Sequence, residues 1–130
     1  MAQGGGSARA VNKNLVVGSL LLLLCVLHGV GVVEGATYVV GGRQGWGFQT
    51  KSWTTGKRFR AGDTLVFNYS PSAHNLVVVS PGAYRSCTTG GARPLTSGSD
   101  KVTLKKGANY FICSVAGHCA AGMKIAVSAT

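Results

Sequence analysis

Short runs of alternating apolar and polar residues follow one another from residue 36 onward, and turn residues separate them. In the run at residues 64–69, Leu65, Phe67 and Tyr69 fall on one face of an extended strand, because successive side chains of a strand point to opposite sides. No segment of this region sustains apolar residues at helical spacing. The pattern therefore predicts an all-β domain.

The predicted strands are short and evenly spaced. They cover residues 38–40, 64–69, 76–79, 102–104, 110–113 and 124–128. The run at 76–79 is apolar throughout, which predicts a strand buried on both faces. Trp46 and Trp53 lie in a Gly- and Thr-rich loop or edge segment, and residues 83–99 are predicted to be irregular. About seven strands at this spacing indicate a Greek-key β-sandwich or barrel.

The first 35 residues differ from the rest in composition. Arg9 and Lys13 precede an uncharged, largely apolar stretch at residues 15–33, which is the layout of a secretory signal peptide. That stretch is longer than the usual apolar region of about 7 to 15 residues, so an uncleaved membrane anchor is the alternative. Gly35 and Ala36 offer a cleavage point. We predict a signal peptide at 1–35 and a secreted, extracellular domain at 36–130.

The chain is strongly basic, with a formal net charge of +10 over 130 residues. Cleavage after residue 35 would leave 11 basic and two acidic side chains, a net charge of +9. Such a domain should prefer acidic partners, and a secretory signal together with the lack of a recognition motif argues against nucleic acid. Polyanionic cell-wall or membrane surfaces fit better. The alternative is that the charge serves solubility alone.

Side chains able to bind a metal are concentrated at residues 113–123, which have the form C-x4-H-x4-M. A strand ending at Cys113, a tight loop and a strand beginning near Met123 would bring a thiol, the imidazole of His118 and a thioether to one end of the sandwich. His74, at the start of the strand at 76–79, is the predicted fourth donor. Taken singly, each of these residues is typical of core packing or of an ordinary hydrogen-bonded histidine.

Together these four donors form the set His2Cys plus Met, which favours copper. Thiolate and thioether suit copper(I), imidazole suits both copper oxidation states, and this combination is typical of blue-copper electron-transfer sites. Zinc would gain nothing from the methionine. The predicted cofactor is one copper ion that alternates between Cu(I) and Cu(II).

Three cysteines, Cys87, Cys113 and Cys119, remain beyond the predicted leader, and three cannot all pair. If Cys113 binds copper, Cys87 and Cys119 form the disulfide that an oxidising compartment favours. The competing pairing of Cys113 with Cys119 would destroy the copper site.

The sequence resembles the plantacyanins, the basic blue proteins among the plant phytocyanins, over the whole of residues 36–130. The segments that carry the resemblance are Tyr38-Val-Val-Gly-Gly, Gly45-Trp46, Lys57-Arg-Phe-Arg-Ala-Gly-Asp63, Phe67-Asn-Tyr69, His74-Asn75 and the run at residues 110–127. The resemblance implies a cupredoxin fold, with one type 1 copper on His74, Cys113, His118 and Met123 and a disulfide between Cys87 and Cys119. It also implies that Asn75 helps to fix the loop that carries Cys113, and that the exposed edge of His118 passes electrons.

Three classes of function follow from these observations. The first is a mobile, monomeric electron carrier with an acidic redox partner, and the second is an extracellular signalling or binding protein that uses its basic surface without obligatory redox cycling. The third, a copper oxidase, lacks the histidines of a trinuclear cluster, and four side-chain donors leave no open position for substrate. We therefore expect no enzymatic activity.

Asn68-Tyr-Ser70 is formally an N-glycosylation sequon, but Pro71 follows it directly, which argues against modification.

Overall fold

A computed structural model describes residues 35–130. The predicted leader lies outside the described residues except for Gly35, so the signal peptide and its cleavage stay predictions. The described elements are β1 (Thr37–Val39), a 3-10 helix (Gly42–Gln44), α1 (Thr50–Trp53), β2 (Thr64–Asn68), β3 (Val77–Val79), α2 (Pro81–Ser86), β4 (Ser99–Thr103), β5 (Gly107–Ile112) and β6 (Lys124–Ala129).

The strands form two three-stranded sheets, in the orders β1-β2-β4 and β3-β5-β6. In the first sheet β1 runs parallel to β2, and β2 pairs antiparallel with β4. The second sheet is antiparallel throughout. The prediction of an all-β sandwich is confirmed. Residues 35–130 contain six strands in place of about seven, with an additional parallel bridge between Phe59 and Ala129.

The core lies between the two sheets and is built mainly from the inward faces of β2, β5 and β6. Phe67 of β2 and Phe111 of β5 meet with ring centroids 5.0 Å apart, and Leu65 and Ile125 are buried beside them. Burying side chains of this size stabilises the fold by about 1.5 to 3 kcal/mol each. Cys113 and Met123 belong to the same buried cluster. Two of the predicted copper ligands are therefore part of the core.

The prediction that the strand at 76–79 is buried on both faces is wrong. Val77 and Val79 of β3 are buried, but Val78 between them is 42% exposed. Val77 and Val79 pack in one buried cluster with Ala83 of α2, whereas the side chain of Val78 points to the opposite face of the strand and is left partly to solvent. A continuous apolar run therefore does not show whether both faces of a strand are covered.

The prediction that residues 83–99 are irregular is wrong at both ends: residues 83–86 belong to the short helix α2, and Ser99 is the first residue of β4. The Ser80 hydroxyl caps the helix by accepting the Ala83 N–H at 3.2 Å, and Pro81 occupies a first-turn position where its missing N–H costs nothing. Six residues span less than two turns, which is too short for an apolar period to be visible in the sequence. None of the helices within residues 35–130 has the length and apolarity that crossing a membrane requires.

Candidate metal centre

The hairpin of β5 and β6 brings three of the four predicted ligands to one end of the molecule, which we call the metal pole. The two strands pair antiparallel from Gly107 opposite Ala129 to Ile112 opposite Lys124. Cys113 follows β5 directly and Met123 precedes β6 directly, and the Cys113 N–H donates to the Met123 carbonyl at 3.1 Å. The loop between them folds back, and the Met123 N–H donates to the His118 carbonyl at 3.0 Å.

His74 reaches the same pole from the other side of β5. β3 pairs antiparallel with β5, and Val77 lies opposite Ile112, so the residues before β3 lie beside Cys113. The His74 Nδ1 atom is 4.0 Å from the Cys113 Sγ atom and 3.1 Å from the His118 Nδ1 atom. The His118 Nδ1 atom is 3.5 Å from the same sulfur.

The donor atoms of His74, Cys113 and His118 all lie within 4.8 Å of one another. Two ring nitrogens and one sulfur that lie this close together can coordinate the same cation. Met123 is fully buried and lies in the same cluster as Cys113. Imidazole, thiolate and thioether match the preferences of copper, and the four residues are positioned for a single copper ion.

The pocket favours the neutral form of His74, the form that binds metal. Burial lowers the pKa of His74 below its usual value of 6.5, and the nearby positive charge that His118 can carry lowers it further. A neutral imidazole has the free lone pair that a metal requires, whereas a protonated imidazole has none on its second nitrogen. His74 is therefore ready to bind metal at neutral pH.

The side chain of Asn75 joins the two segments that carry His74 and Cys113. Its Nδ2 donates to the Ser114 hydroxyl at 2.9 Å, and its Oδ1 accepts the Ser114 N–H at 2.8 Å. The Trp46 Nε1–H donates to the Asn75 carbonyl at 2.9 Å. This bond restrains the backbone of the segment that carries His74. The two bonds of the Asn75 side chain join the segment that carries His74 to the residue that follows Cys113. The predicted role of Asn75 in fixing the loop that carries Cys113 stays a prediction.

A disulfide links Cys87, the residue directly after α2, to Cys119 in the loop between β5 and β6, with their Cα atoms 5.6 Å apart. Cys113 carries no disulfide and is buried. The pairing of Cys87 with Cys119 is confirmed, and the competing pairing of Cys113 with Cys119 is excluded. His118 and Cys119 turn to opposite sides of the loop, so one faces the other donor atoms while its neighbour is tethered to α2.

Phe48 is a residue of the metal pole that the sequence pattern does not predict. Its ring meets the His118 ring edge-on at 5.1 Å and the His74 ring edge-on at 5.8 Å between centroids. Phe48 itself is 45% exposed, so it covers part of both imidazoles while facing solvent. The residue lies in the Gly-rich stretch before α1, where the sequence gives no periodicity that would mark it.

The predicted sequon residue Asn68 lies at the exposed end of β2. Its Oδ1 accepts the Ser99 hydroxyl of the neighbouring strand at 2.9 Å. Its modification stays a prediction.

Comparison with known proteins gives a consistent result. A family model described as a plastocyanin-like domain matches residues 46–123. The chain is 52% identical over 130 residues to a protein named chemocyanin from Lilium longiflorum, covering 99% of both chains. It is 59% identical over 95 residues to a basic blue protein from Cucumis sativus, covering 72% of this chain and 99% of the relative.

Solved structures with this fold include cucumber basic protein, described as a blue copper protein, with a TM-score of 0.70 and 59% identity. That match covers 73% of this chain and 100% of the other. Spinach plantacyanin matches with a TM-score of 0.66 and 48% identity, again over 73% of this chain and the whole of the other.

Proposed function

Because the chain belongs to the phytocyanin family of plastocyanin-like blue copper proteins, we propose that it is an extracellular carrier of single electrons. The observation that carries the proposal is that the donor atoms of His74, Cys113 and His118 lie within 4.8 Å of one another, with the thiol buried and outside any disulfide. Bound copper would supply a one-electron Cu(I)/Cu(II) couple to this ligand set.

The residues of the metal pole have separate tasks in this role. Cys113, His74 and His118 supply the close donors, and Met123 supplies the thioether. The disulfide at Cys119 and the side chain of Asn75 hold the segments that bear these donors in place, so that the ligands need little rearrangement when the charge of the site changes. The carrier takes one electron from a donor protein and passes it to an acceptor, with no bond made or broken.

Electrons would enter and leave through the exposed side of the metal pole. His118 is only partly buried, and Val115 in the same loop is 36% exposed. With Phe48, Val115 gives this end an apolar border of the kind on which a transient partner docks. The partner we propose is an acidic redox protein, because the domain is strongly basic. A monomer and a lack of enzymatic turnover are part of the same proposal.

The proposed extracellular location is supported by two independent features. Residues 1–35 have the composition of a secretory signal. The disulfide between Cys87 and Cys119 is of the kind that persists in oxidising compartments. Expression of the whole chain in plant cells, followed by N-terminal sequencing of the protein in the medium, tests the location; recovery only from cell membranes with residues 1–35 attached would contradict it.

The electron-carrier role is tested by loading the purified domain with copper(II). We expect an intense blue absorption band and a reversible one-electron wave in voltammetry. Cys113→Ser should lose both, because a hydroxyl does not replace the thiolate, whereas Ala120→Ser, at an exposed position of the same loop, should keep both. A colourless wild-type protein, or a blue Cys113→Ser variant with its redox wave intact, would refute the proposal.

A second role, extracellular binding or signalling without obligatory redox cycling, is favoured by the net charge of +10. The same Cys113→Ser variant separates the two roles in a biological assay. Retained biological activity in a copper-free variant that still folds would favour binding, and lost activity would favour electron transfer.

A further inference from the structure

Three cationic side chains line a shallow groove of about 420 Å³, which we call the basic groove. The groove is lined by Lys57, Arg58, Phe59, Arg60, Ser128 and Thr130. No role in the copper site involves any of these residues.

The basic groove lies at the opposite end of β6 from the metal pole. Phe59 pairs with Ala129, the last residue of β6, and the Thr130 N–H donates to the Phe59 carbonyl at 3.1 Å. Met123 precedes the first residue of the same strand, so the extended chain separates the two sites by roughly 20 Å. A molecule in the groove therefore leaves the metal pole accessible.

The segment of residues 57–60, which carries the cations, is anchored by the buried side chain of Phe59. Phe59 is buried, with its ring edge-on to Tyr38 at 5.0 Å, whereas Arg58 and Arg60 on either side of it are exposed. Because side chains alternate along an extended segment, the two guanidinium groups extend outward from the same face. The Arg60 N–H donates to the Asp63 carboxylate at 2.8 Å, which fixes the turn beyond the groove. The cations are thus presented by an ordered backbone, which lowers the entropic cost of binding.

The charge at this end of the molecule is little offset by acidic side chains. Within residues 35–130 the two acidic side chains are Asp63 and Asp100. Asp63 is buried and accepts backbone N–H groups from Ala36 and Arg60, and Asp100 accepts the hydroxyls of Tyr69 and Ser97.

The ammonium of Lys57, one of the three groove cations, lies 4.9 Å from the centre of the Trp53 ring, a contact that leaves its charge intact. Two further lysines lie at the same end of the domain. Lys105 and Lys106 are exposed just before Gly107, which pairs with Ala129, so they add positive charge to the same end. The basic groove is therefore suited to a ligand with several negative charges.

The shape and lining of the groove indicate the class of that ligand. The large apolar side chains that are exposed in the described part of the chain are Val39, Phe48, Val78, Leu95 and Val115, and none of them lines the groove. A protein interface usually has an apolar core. The large apolar side chain that lines the groove, Phe59, is buried and offers little surface to a protein partner. A recess also fits a single polymer chain better than it fits the plane of a membrane.

We propose that the basic groove binds a carboxylated polysaccharide chain, with Lys57, Arg58 and Arg60 as its principal contacts. The inference rests on the extracellular location given under the proposed function, but it does not depend on electron transfer. Binding at this end would hold the protein on an acidic matrix while the metal pole stays open to redox partners.

The test compares two triple variants of the copper-loaded domain with the same loss of charge. Lys57→Gln/Arg58→Gln/Arg60→Gln removes the groove cations, and Arg85→Gln/Arg93→Gln/Lys101→Gln removes three exposed cations elsewhere. Binding to polygalacturonate is measured by titration calorimetry at low and at 0.15 M ionic strength, which screens charges beyond about 8 Å. We expect the groove variant to bind at least about tenfold more weakly than wild type, and the control variant less than about threefold more weakly.

Equal losses in the two variants, or no loss in either, would overturn the proposal, because binding would then depend on total charge or on another surface. Neutral dextran should not bind. Tighter groove-dependent binding of poly-glutamate or of phosphatidylserine vesicles than of polygalacturonate would show that the groove serves an acidic protein or a membrane. The blue absorption band of each variant is recorded in parallel, so that failure of the copper site is recognised separately from failure of the groove.

Discussion

At the scale of single residues, the copper ligands are complemented by neighbours that control access to them. Phe48 contacts both imidazole rings from the solvent side, and the side chain of Asn75 ties the two ligand segments together. Neither residue offers a copper donor in the ligand set derived above. We therefore expect substitution of either residue to change how long copper is retained, and not whether the site exists.

We predict that Phe48→Ala releases copper faster to a chelator. Removing the two edge-on ring contacts opens the imidazoles to water, and contacts of this kind contribute about 0.5 to 1.5 kcal/mol each, so the release rate should rise about threefold or more. The decay of the blue band after addition of the chelator measures the rate. Phe48→Tyr, which keeps the ring, is the matched control; equal rates for the alanine variant and wild type would show that Phe48 does not shield the site.

A second prediction concerns Tyr69, whose hydroxyl donates to the carboxylate of Asp100. Burial and this bond raise the pKa of Tyr69 from 10.0 to about 12. Since the pKa is higher in the folded than in the unfolded chain, the stabilisation is complete below about pH 10 and is lost as the pH rises toward 12. Urea unfolding should show that wild type exceeds Tyr69→Phe in stability at pH 8 and that the difference shrinks by pH 12. A difference that does not change with pH would contradict this assignment.

At the scale of secondary-structure elements, the loop between β5 and β6 depends on its tether to α2. The disulfide joins residues 32 positions apart and restricts the unfolded chain. We predict that Cys87→Ser/Cys119→Ser lowers the stability of the copper-free domain by about 2 to 4 kcal/mol, the usual value for a native disulfide. Urea denaturation of the copper-free protein measures this loss without the contribution of the metal. A midpoint equal to that of the wild-type protein would show that packing alone orders the loop.

The elements were predictable from the sequence where the apolar pattern is regular. β2 shows the predicted inward face at Leu65 and Phe67, and the strands at the end of the chain appear close to their predicted positions. α2 was not predicted, because Ser80 and Pro81, the residues that begin the helix, are equally typical of the turn that ends a strand. The exposure of Val78 was missed because tertiary packing decides which faces of a strand are covered, and a local pattern does not contain that information.

The candidate site was more predictable than the fold around it. Cys113, His118 and Met123 are close in sequence, and a hairpin makes sequence neighbours spatial neighbours. His74 could be included because the set of donors required a fourth member. Phe48 and Ser114 could not be found in this way, because an exposed aromatic ring and a serine hydroxyl have no chemical signature until the loops that carry them are placed.

At the scale of the whole molecule, the domain is a two-sheet sandwich with copper ligands at one end and a cluster of cations at the other. The ligands come from residues before β3, after β5 and before β6, so they join every strand of the second sheet. Bound copper should therefore stabilise the sandwich as a unit and not only its loops.

We predict that removal of copper lowers the melting temperature of the domain. A ligand that binds only the folded state stabilises it by about 2.7 kcal/mol when its free concentration is 100 times the dissociation constant. Scanning calorimetry of the loaded and chelator-treated protein measures the effect, with Cys113→Ser as the control that should not respond to copper. The difference should decrease as the pH falls through the histidine range, because protons compete with the metal for the imidazole nitrogens. Identical melting temperatures would contradict a site formed by the folded sandwich.

The position of Cys119 next to His118 has a consequence for the biosynthesis of the protein. Before the bridge to Cys87 forms, the newly made chain offers three thiols in or near the ligand loop, and each is a strong ligand for the soft cuprous ion. Closing the bridge removes two of these competitors and leaves Cys113 as the single sulfhydryl among the described residues. The maturation of the domain should therefore follow a fixed order, in which thiol oxidation precedes metal insertion, and premature metallation should yield trapped, wrongly coordinated chains.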